Sequence, residues 1–349
     1  FERRSGLAIK TGSSVATTGN ITQNIALAVT GTTTLAAGTS NDITLDNTSN
    51  NFQGAVLVTT ARDINLVNSG AINLGNTTVS GTYAVTATTG DITDSGTLTI
   101  TGASIFTTRV GGSNIVLDSS ANAFAAAVTM KADTGGDETF GNITFVDSAA
   151  VKLHSSAGTN GDLFIDAGTD LAVGGNLSIT ATTGNITQGS EVAVGGTTTL
   201  VTSANDATIT LNDADNAFTG ALTITTNDNS GTDAAVIIDG GTTALIIAAS
   251  TIDGNLTLTS GATAGITDSG TVTVGGDLAA TTDAGNGVID MDQLAVDGSI
   301  ALVTDGNGAA TVVNDAGLNF AASTVRGALT ATATTGDITD SGTLTITGA

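Results

Sequence analysis

The residues able to do acid–base or metal chemistry are few and fall in three places. The single histidine, His154, stands two positions after Lys152 and follows Asp133, Asp137 and Glu138 in the same stretch. Carboxylates beside an imidazole and an ammonium group are the raw material of general acid–base cleavage of a glycosidic bond. A second group, Asp228 to Asp233 within Asn227-Asp228-Asn229-Ser230-Gly231-Thr232-Asp233, offers the hard oxygen ligands that calcium takes, as do Asp133, Asp137 and Glu138 themselves. Asp283, Asp290, Asp292 and Asp297 form a looser third set. None of these has EF-hand spacing, and the Gly-Gly-x-Gly-x-Asp nonapeptide of calcium-binding β-rolls does not occur. The bland reading, solvated turn residues, accounts for all three. No catalytic, cofactor-binding or metal-ligating residue is therefore assigned, and cations are expected to gather only diffusely on the acidic surface.

The elements that would position such residues are legible from composition. Forty-six glycines in 349 residues leave little room for helices of ordinary length, and Val, Ile and Leu recur throughout in alternation with Thr, Ser, Asn and Asp. The chain is expected to be all-β and to bury a core. Eight Lys and Arg against 32 Asp and Glu give a net charge of −24, which repels phosphate backbones and anionic headgroups and excludes nucleic-acid binding. Arg62, Arg109 and Lys131 are scattered along the middle of the chain and form no basic patch. The longest apolar runs, such as Ala123 to Val128 and Ala244 to Ala249, are six residues long, against about 18 for a membrane-spanning helix. No cysteine is present, so disulfides and thiol chemistry are excluded. The chain starts without methionine and stops within strand-like text, and is expected to be a window of a longer protein.

Repetition is the strongest signal. Thr86 to Ala103 recurs unchanged at Thr332 to Ala349, and Leu66 to Ala103 matches Val312 to Ala349 at 24 of 38 positions without a gap. A marker, Gly-[Asn/Asp]-Ile-Thr-[Asp/Gln], begins at Gly19, Gly90, Gly184 and Gly336, with a degraded copy at Gly265. Its isoleucines, Ile21, Ile92, Ile186, Ile266 and Ile338, are 71, 94, 80 and 72 residues apart. Asn-x-Phe travels with it, ending at Phe52, Phe124 and Phe218, which lie 31, 32 and 32 residues after the marker isoleucine. The unit is thus a super-repeat of about 72 residues. Its copies run approximately over 19–89, 90–183, 184–263 and 264–335, with a partial copy at 336–349. The 80-residue copy carries eight extra residues around Asn227 to Asp233, and the 94-residue copy an insertion that reads as one added coil.

Within each copy apolar pairs such as Ile43 and Leu45, Leu98 and Ile100, or Leu256 and Leu258 alternate with polar residues and are bounded by Asn, Asp, Ser and Gly. A β-sandwich of 72 residues would want aromatic bulk, but the whole chain has 9 Phe and 1 Tyr. A slim solenoid fits better. The expectation is one continuous right-handed parallel β-solenoid over residues 1–349, at about 18–24 residues per coil roughly 15–19 coils, its handedness following the crossover rule. Asn50, Asn122 and Asn216 should occupy equivalent corners, with the three rings turned inward.

The strings Thr-Gly-Asn-Ile-Thr-Gln at Thr18 and Thr183, Gly-Thr-Thr-Thr-Leu at Gly31 and Gly196, Asn-Asp-Ile-Thr-Leu-Asp from Asn41 and Asn-Ala-Phe-Thr-Gly-Ala-Leu from Asn216 resemble the β-strand repeats of filamentous-haemagglutinin-like exoproteins, the large passengers of two-partner secretion in Gram-negative bacteria. The Asn-Pro motifs of that family's secretion domain are missing, because this sequence has no proline. The resemblance implies a non-enzymatic shaft at the outer cell surface or in the medium, serving adhesion, biofilm or fibre formation. Its partners would be further repeats of the same chain, copies of itself, and surface or matrix glycans. Two alternatives use the same fold: a carbohydrate-active or carbohydrate-binding β-helix with its groove near His154, and an ice-binding solenoid built on Thr-x-Thr at Thr97, Thr99, Thr208, Thr210, Thr223, Thr225, Thr257, Thr259, Thr271 and Thr273. The irregular sequence spacing of those pairs argues against the ice reading. Asn-x-Ser/Thr at Asn20, Asn47, Asn76, Asn142, Asn176, Asn185 and Asn255 is mostly turn-then-strand text and needs no glycan to explain it.

Overall fold

The computed structural model describes residues 8–9, 13–16, 19–132, 141–154, 162–165, 172–227 and 234–348. It divides into two compact units, Phe1–Asn176 and Leu177–Ala349. Both are β-solenoids of stacked parallel strands without helix among the described residues, and together they hold about 13 turns. That is fewer than the 15–19 coils expected. Most steps along the ladders take more than 18 residues: Val56 to Leu74 takes 18 and Ile64 to Tyr83 takes 19, but Ile21 to Ile43 takes 22 and Ile115 to Ile143 takes 28.

In the first unit the chain alternates between two sheets that share one core. One holds Ile72–Val79, Ile92–Asp94, Leu98–Ile100, Ile115–Leu117 and Ile143–Asp147, and the other holds Ile43–Leu45, Ile64–Asn68, Tyr83–Ala87, Ser104–Thr108 and Val128–Lys131. Because side chains alternate across a strand, in-register stacking turns the apolar pairs into inner columns. Leu45, Leu66, Val85, Phe106 and Met130 form one such column, all buried, while Thr44, Asn65, Ala84, Ile105 and Thr129 form the matching outer column. Burying each such inward side chain contributes about 1.5 to 3 kcal/mol. The few aromatics are concentrated here: Phe106 meets Tyr83 and Phe124 edge-on at 5.7 and 6.2 Å, and Phe124 lies 5.2 Å from Phe145. The second unit repeats the plan with thinner side chains, as in the inner column Val236, Leu256, Leu278, Ile300 and Phe320.

The super-repeat is three and a half turns long. In the first unit Ile21 steps to Ile43, Ile64 and Tyr83 in one sheet, and the next half-turn brings Ile92 to the other. In the second unit Ile186 steps to Ile209, Val236 and Leu256 before Ile266 appears in the opposite sheet. Ile266 in turn steps to Ile289, Ala310 and Leu329 before Ile338 returns to the first. Copies of 71, 80 and 72 residues thus make the same number of turns. The eight extra residues enter the 27-residue step from Ile209 to Val236, and the loop residues 228–233 themselves lie outside the described residues.

The insertion in the 94-residue copy departs from the expected complete coil. Asp162–Ile165 pairs in parallel with both Val128–Lys131 and Val151–His154, Leu163 standing opposite Val128 on one side and Leu153 on the other. It adds a strand to one sheet, while the rungs Asn114 to Asn142 and Asn142 to Asn176 simply lengthen to 28 and 34 residues.

Candidate functional site

Each residue of the marker has a separate task at the corner. Its glycine takes a left-handed backbone, with φ of +98° at Gly90, +120° at Gly184, +67° at Gly265 and +82° at Gly336, which L side chains rarely adopt. The Asn or Asp that follows accepts a hydrogen bond from the backbone one turn further on. Asn20 Oδ1 receives the Asp42 N–H at 3.0 Å, Asp91 that of Asn114 at 2.7 Å, and Asn185 that of Thr208 at 2.8 Å. Elsewhere the rungs continue: Asn114 to Asn142 and Asn142 to Asn176 at 2.8 Å each, Asn255 to Asp277 at 2.8 Å, and Asp277 to Ser299 at 2.7 Å. These bonds satisfy N–H groups that the bend takes out of the strand ladder. Most of the Asn-x-Ser/Thr text is therefore this ladder.

The last residue of the marker reaches the buried asparagine of Asn-x-Phe, which explains why the two motifs travel together. Asn216 accepts from the Val192 N–H at 2.7 Å and from Gln188 Nε2 at 2.9 Å, and its Nδ2 donates to Gln188 Oε1 at 3.1 Å, Leu211 O at 3.3 Å and Asp239 O at 3.0 Å. Gln23 and Asn50 repeat the reciprocal amide pair at 2.7 and 2.8 Å. In the third instance Asp94 replaces glutamine: it accepts from Asn122 Nδ2 at 2.7 Å and from the backbone of Asp118 and Ser119. Burial pushes the Asp94 carboxyl above its ordinary value against those hydrogen bonds, and Asp268, the corresponding residue of the degraded copy, is raised for the same reason. In that copy Asp268 accepts only from the Asp292 and Gln293 backbone, and Leu294 stands in the asparagine place. Asn50, Asn122 and Asn216 are buried at 0, 0 and 1% exposure, and Phe52, Phe124 and Phe218 are buried beside them, as expected from the sequence.

A second polar group, buried except at the half-buried Thr243, closes each bend. The backbone N–H of Phe52 donates to Asn68 Oδ1 at 2.8 Å, that of Phe218 to Thr243 Oγ1 at 3.0 Å and that of Val296 to Asn314 Oδ1 at 2.8 Å. At Phe124 the acceptor is a carboxylate, Asp147, at 3.3 Å. Sequence reading missed this set, because the capping residue lies 16 to 25 positions away and differs in type at each copy.

The residues singled out for chemistry do not converge. Lys152 and His154 lie on Val151–His154, opposite Asp162 and Phe164, whereas Asp133, Asp137, Glu138 and Asp228 to Asp233 fall outside the described residues. Asp283, Asp290, Asp292 and Asp297 are exposed. Among the described residues no group of three His, Asp or Glu could hold a metal ion. Arg62 bridges Asp42 and Asp63 at 2.6 and 3.1 Å on the surface. The Thr-x-Thr pairs split between the sheets, Thr257 and Thr259 in one and Thr223 and Thr225 in the other. One outer column that they join runs Thr180, Val201, Thr225, Thr251, Thr273, Ala295 and another Asp239, Thr259, Thr281, Val303, Thr324, Thr345, both in register but not all threonine. What the arrangement does chemically is hold turn upon turn in one register.

The model of a family described as "Repeats of unknown function (DUF5649)" matches residues 6–59, 61–131, 140–225, 233–304 and 307–349. No curated protein and no solved structure matches the chain.

Proposed function

The chain belongs to this DUF5649 repeat family, and from that premise we propose that it is a stretch of the structural shaft of an extracellular fibre or giant surface adhesin, without catalysis of its own. The observation that carries the reading is the use made of the polar side chains. At the corners and in the core, Asn, Gln, Asp and Thr bond the backbone of the neighbouring turn, so each turn is held by the next and length can grow by duplication. A chain whose polar inventory is consumed in this way is suited to spacing and bearing load. The outer surface of a Gram-negative bacterium is the setting we favour, with further repeats, other copies of the chain and glycans as partners and neither nucleic acid nor membrane insertion involved. Its 24 net negative charges attract cations diffusely, and lateral association between copies would need divalent ions to screen them.

Electron microscopy of the purified protein, paired with an assay for polysaccharide cleavage, tests this. Elongated or fibrous particles without cleavage support the shaft. Compact particles that cleave polysaccharide, and lose that activity on replacement of Lys152 and His154, would overturn it in favour of a carbohydrate-active β-helix.

A further inference from the structure

Asp147 is an acid in a place built for an amide. It ends the strand Ile143–Asp147 as Asn68 ends Ile64–Asn68 and Asn314 ends Ala310–Asn314, and all three side chains are 1% exposed. Each accepts the backbone N–H at the bend of the preceding turn. The two amides do more: Asn68 Nδ2 donates to the carbonyls of Phe52, Gly70 and Ala71 at 3.3, 3.4 and 2.7 Å, and Asn314 Nδ2 to those of Val296 and Gly317 at 3.0 and 2.8 Å. An ionised carboxylate cannot donate to any carbonyl. The Phe124 bond to Asp147 is 3.3 Å long, against 2.8 Å at both asparagines.

We propose that Asp147 is a proton-operated latch on its turn: the neutral carboxyl substitutes for the amide and closes the bend, and the ionised form loosens it. The step needs only a proton from solvent, taken up by the carboxylate oxygen that then donates to a bend carbonyl. Burial raises the carboxyl to about 6, opposed by the backbone N–H groups of Phe124, Ala149 and Ser148. Among the described residues no neighbouring charge enters: neither Asp94 and Asp118 on the turn before nor Lys131 and Lys152 on the flanking strands contributes to the shift. A carboxyl raised in the folded state binds its proton more tightly there than in the unfolded chain. Stability of this turn therefore falls as pH rises from about 4 to about 6 and is level above that.

Hydrogen exchange corrected for intrinsic rates tests the latch. The amides of Phe124 and Ile143 to Ser148 should open roughly 100-fold more readily at pH 7.5 than at pH 4, the factor set by the displacement of the carboxyl from its ordinary value. In Asp147→Asn they should be protected equally at both pH values. A flat wild-type profile, or an unchanged pH dependence in Asp147→Asn, overturns the proposal. Should that variant fail to fold, carboxyl carbon NMR of the wild type decides: a midpoint near 6 supports the latch, and one near the ordinary aspartate value overturns it.

Discussion

Replacing Asn216 by alanine should open the second unit locally, and the size of the effect follows from the groups left behind. The side chain is buried at 1% exposure and makes five hydrogen bonds. Gln188 is half-buried and can turn its amide to water, so its two bonds are largely replaced. The Val192 N–H cannot, because Val192 is wholly buried at the bend. An orphaned buried donor costs about 1 to 3 kcal/mol, and the carbonyls of Leu211 and Asp239 add less each because an oxygen has two lone pairs to satisfy. The total is about 3 to 5 kcal/mol. Stability in a solenoid is distributed turn by turn, so a single denaturation midpoint is a poor readout. Hydrogen exchange of peptides spanning 186 to 222 is the suitable assay. At 1.4 kcal/mol per factor of ten, 3 kcal/mol corresponds to opening more than about 100-fold faster. Peptides around Ile43 to Leu66 in the first unit should stay unchanged, and Asn212→Ala, at an exposed position, should shift protection by less than about 0.5 kcal/mol. An effect below tenfold at Asn216, or one spread evenly over both units, would refute the claim that this amide holds its turn in register.

Three further outcomes are expected. A Cβ on Gly298 would lie 2.4 Å from the Gly276 carbonyl oxygen, so Gly298→Ala should make the turn around Gly276 and Gly298 open about tenfold or more readily in hydrogen exchange, while Gly70→Ala, with nothing within 4 Å, should leave protection of the first unit unchanged. Phe106→Ala removes the ring between Tyr83 and Phe124 and should destabilise the first unit by about 3 to 5 kcal/mol in exchange-derived opening energies, with Phe106→Leu recovering most of the loss. Asp63 is held below its ordinary value, chiefly by the Thr82 backbone N–H, so it stabilises its corner above that range and the stabilisation is lost as pH falls through the lowered value. Protection of the Thr82 amide should accordingly drop in acid in the wild type and show no such drop in Asp63→Asn.

The period-two pattern makes the β-solenoid and the inward Phe52, Phe124 and Phe218 legible in the amino-acid sequence, because alternation fixes which side chains share a face. It does not fix which sheet a strand joins. Ile21 and Ile92 carry nearly the same text yet lie in different sheets, and nothing local to either distinguishes them. The number of turns is obscured for a related reason: an insertion that lengthens a turn can carry a strand without adding a coil, as Asp162–Ile165 does. The buried amide pairs are half visible. Gln23 and Asn50 both stand out as motif residues, but their 27-residue separation spans more than a full turn, and only stacking shows that they meet.

A repeat that closes on a half-turn has a consequence for how such a chain can grow. Duplicating a super-repeat of integral turns would superpose like on like. Duplicating one of three and a half turns places each copy's marker in the sheet opposite its predecessor's, as Ile186, Ile266 and Ile338 do in the second unit. This succeeds only if both sheets accept the same text. They do, because the inner positions of each are filled by Ile, Leu, Val and small residues, and because both carry bends closed by Asn, Asp or Thr from the adjacent turn. The identical strings at 86–103 and 332–349 show what is left to context. Ile92 is fully buried under the turn that carries Ile115, whereas Ile338, with no further turn stacked on it among the described residues, is 53% exposed. Burial is conferred by the neighbour and not by the repeat itself, as expected of a one-dimensional fold. Surface residues escape the constraint. Whatever outward side chains a super-repeat carries are shown on one face by one copy and on the opposite face by the next, so lengthening the chain multiplies both faces at once while the core stays the same.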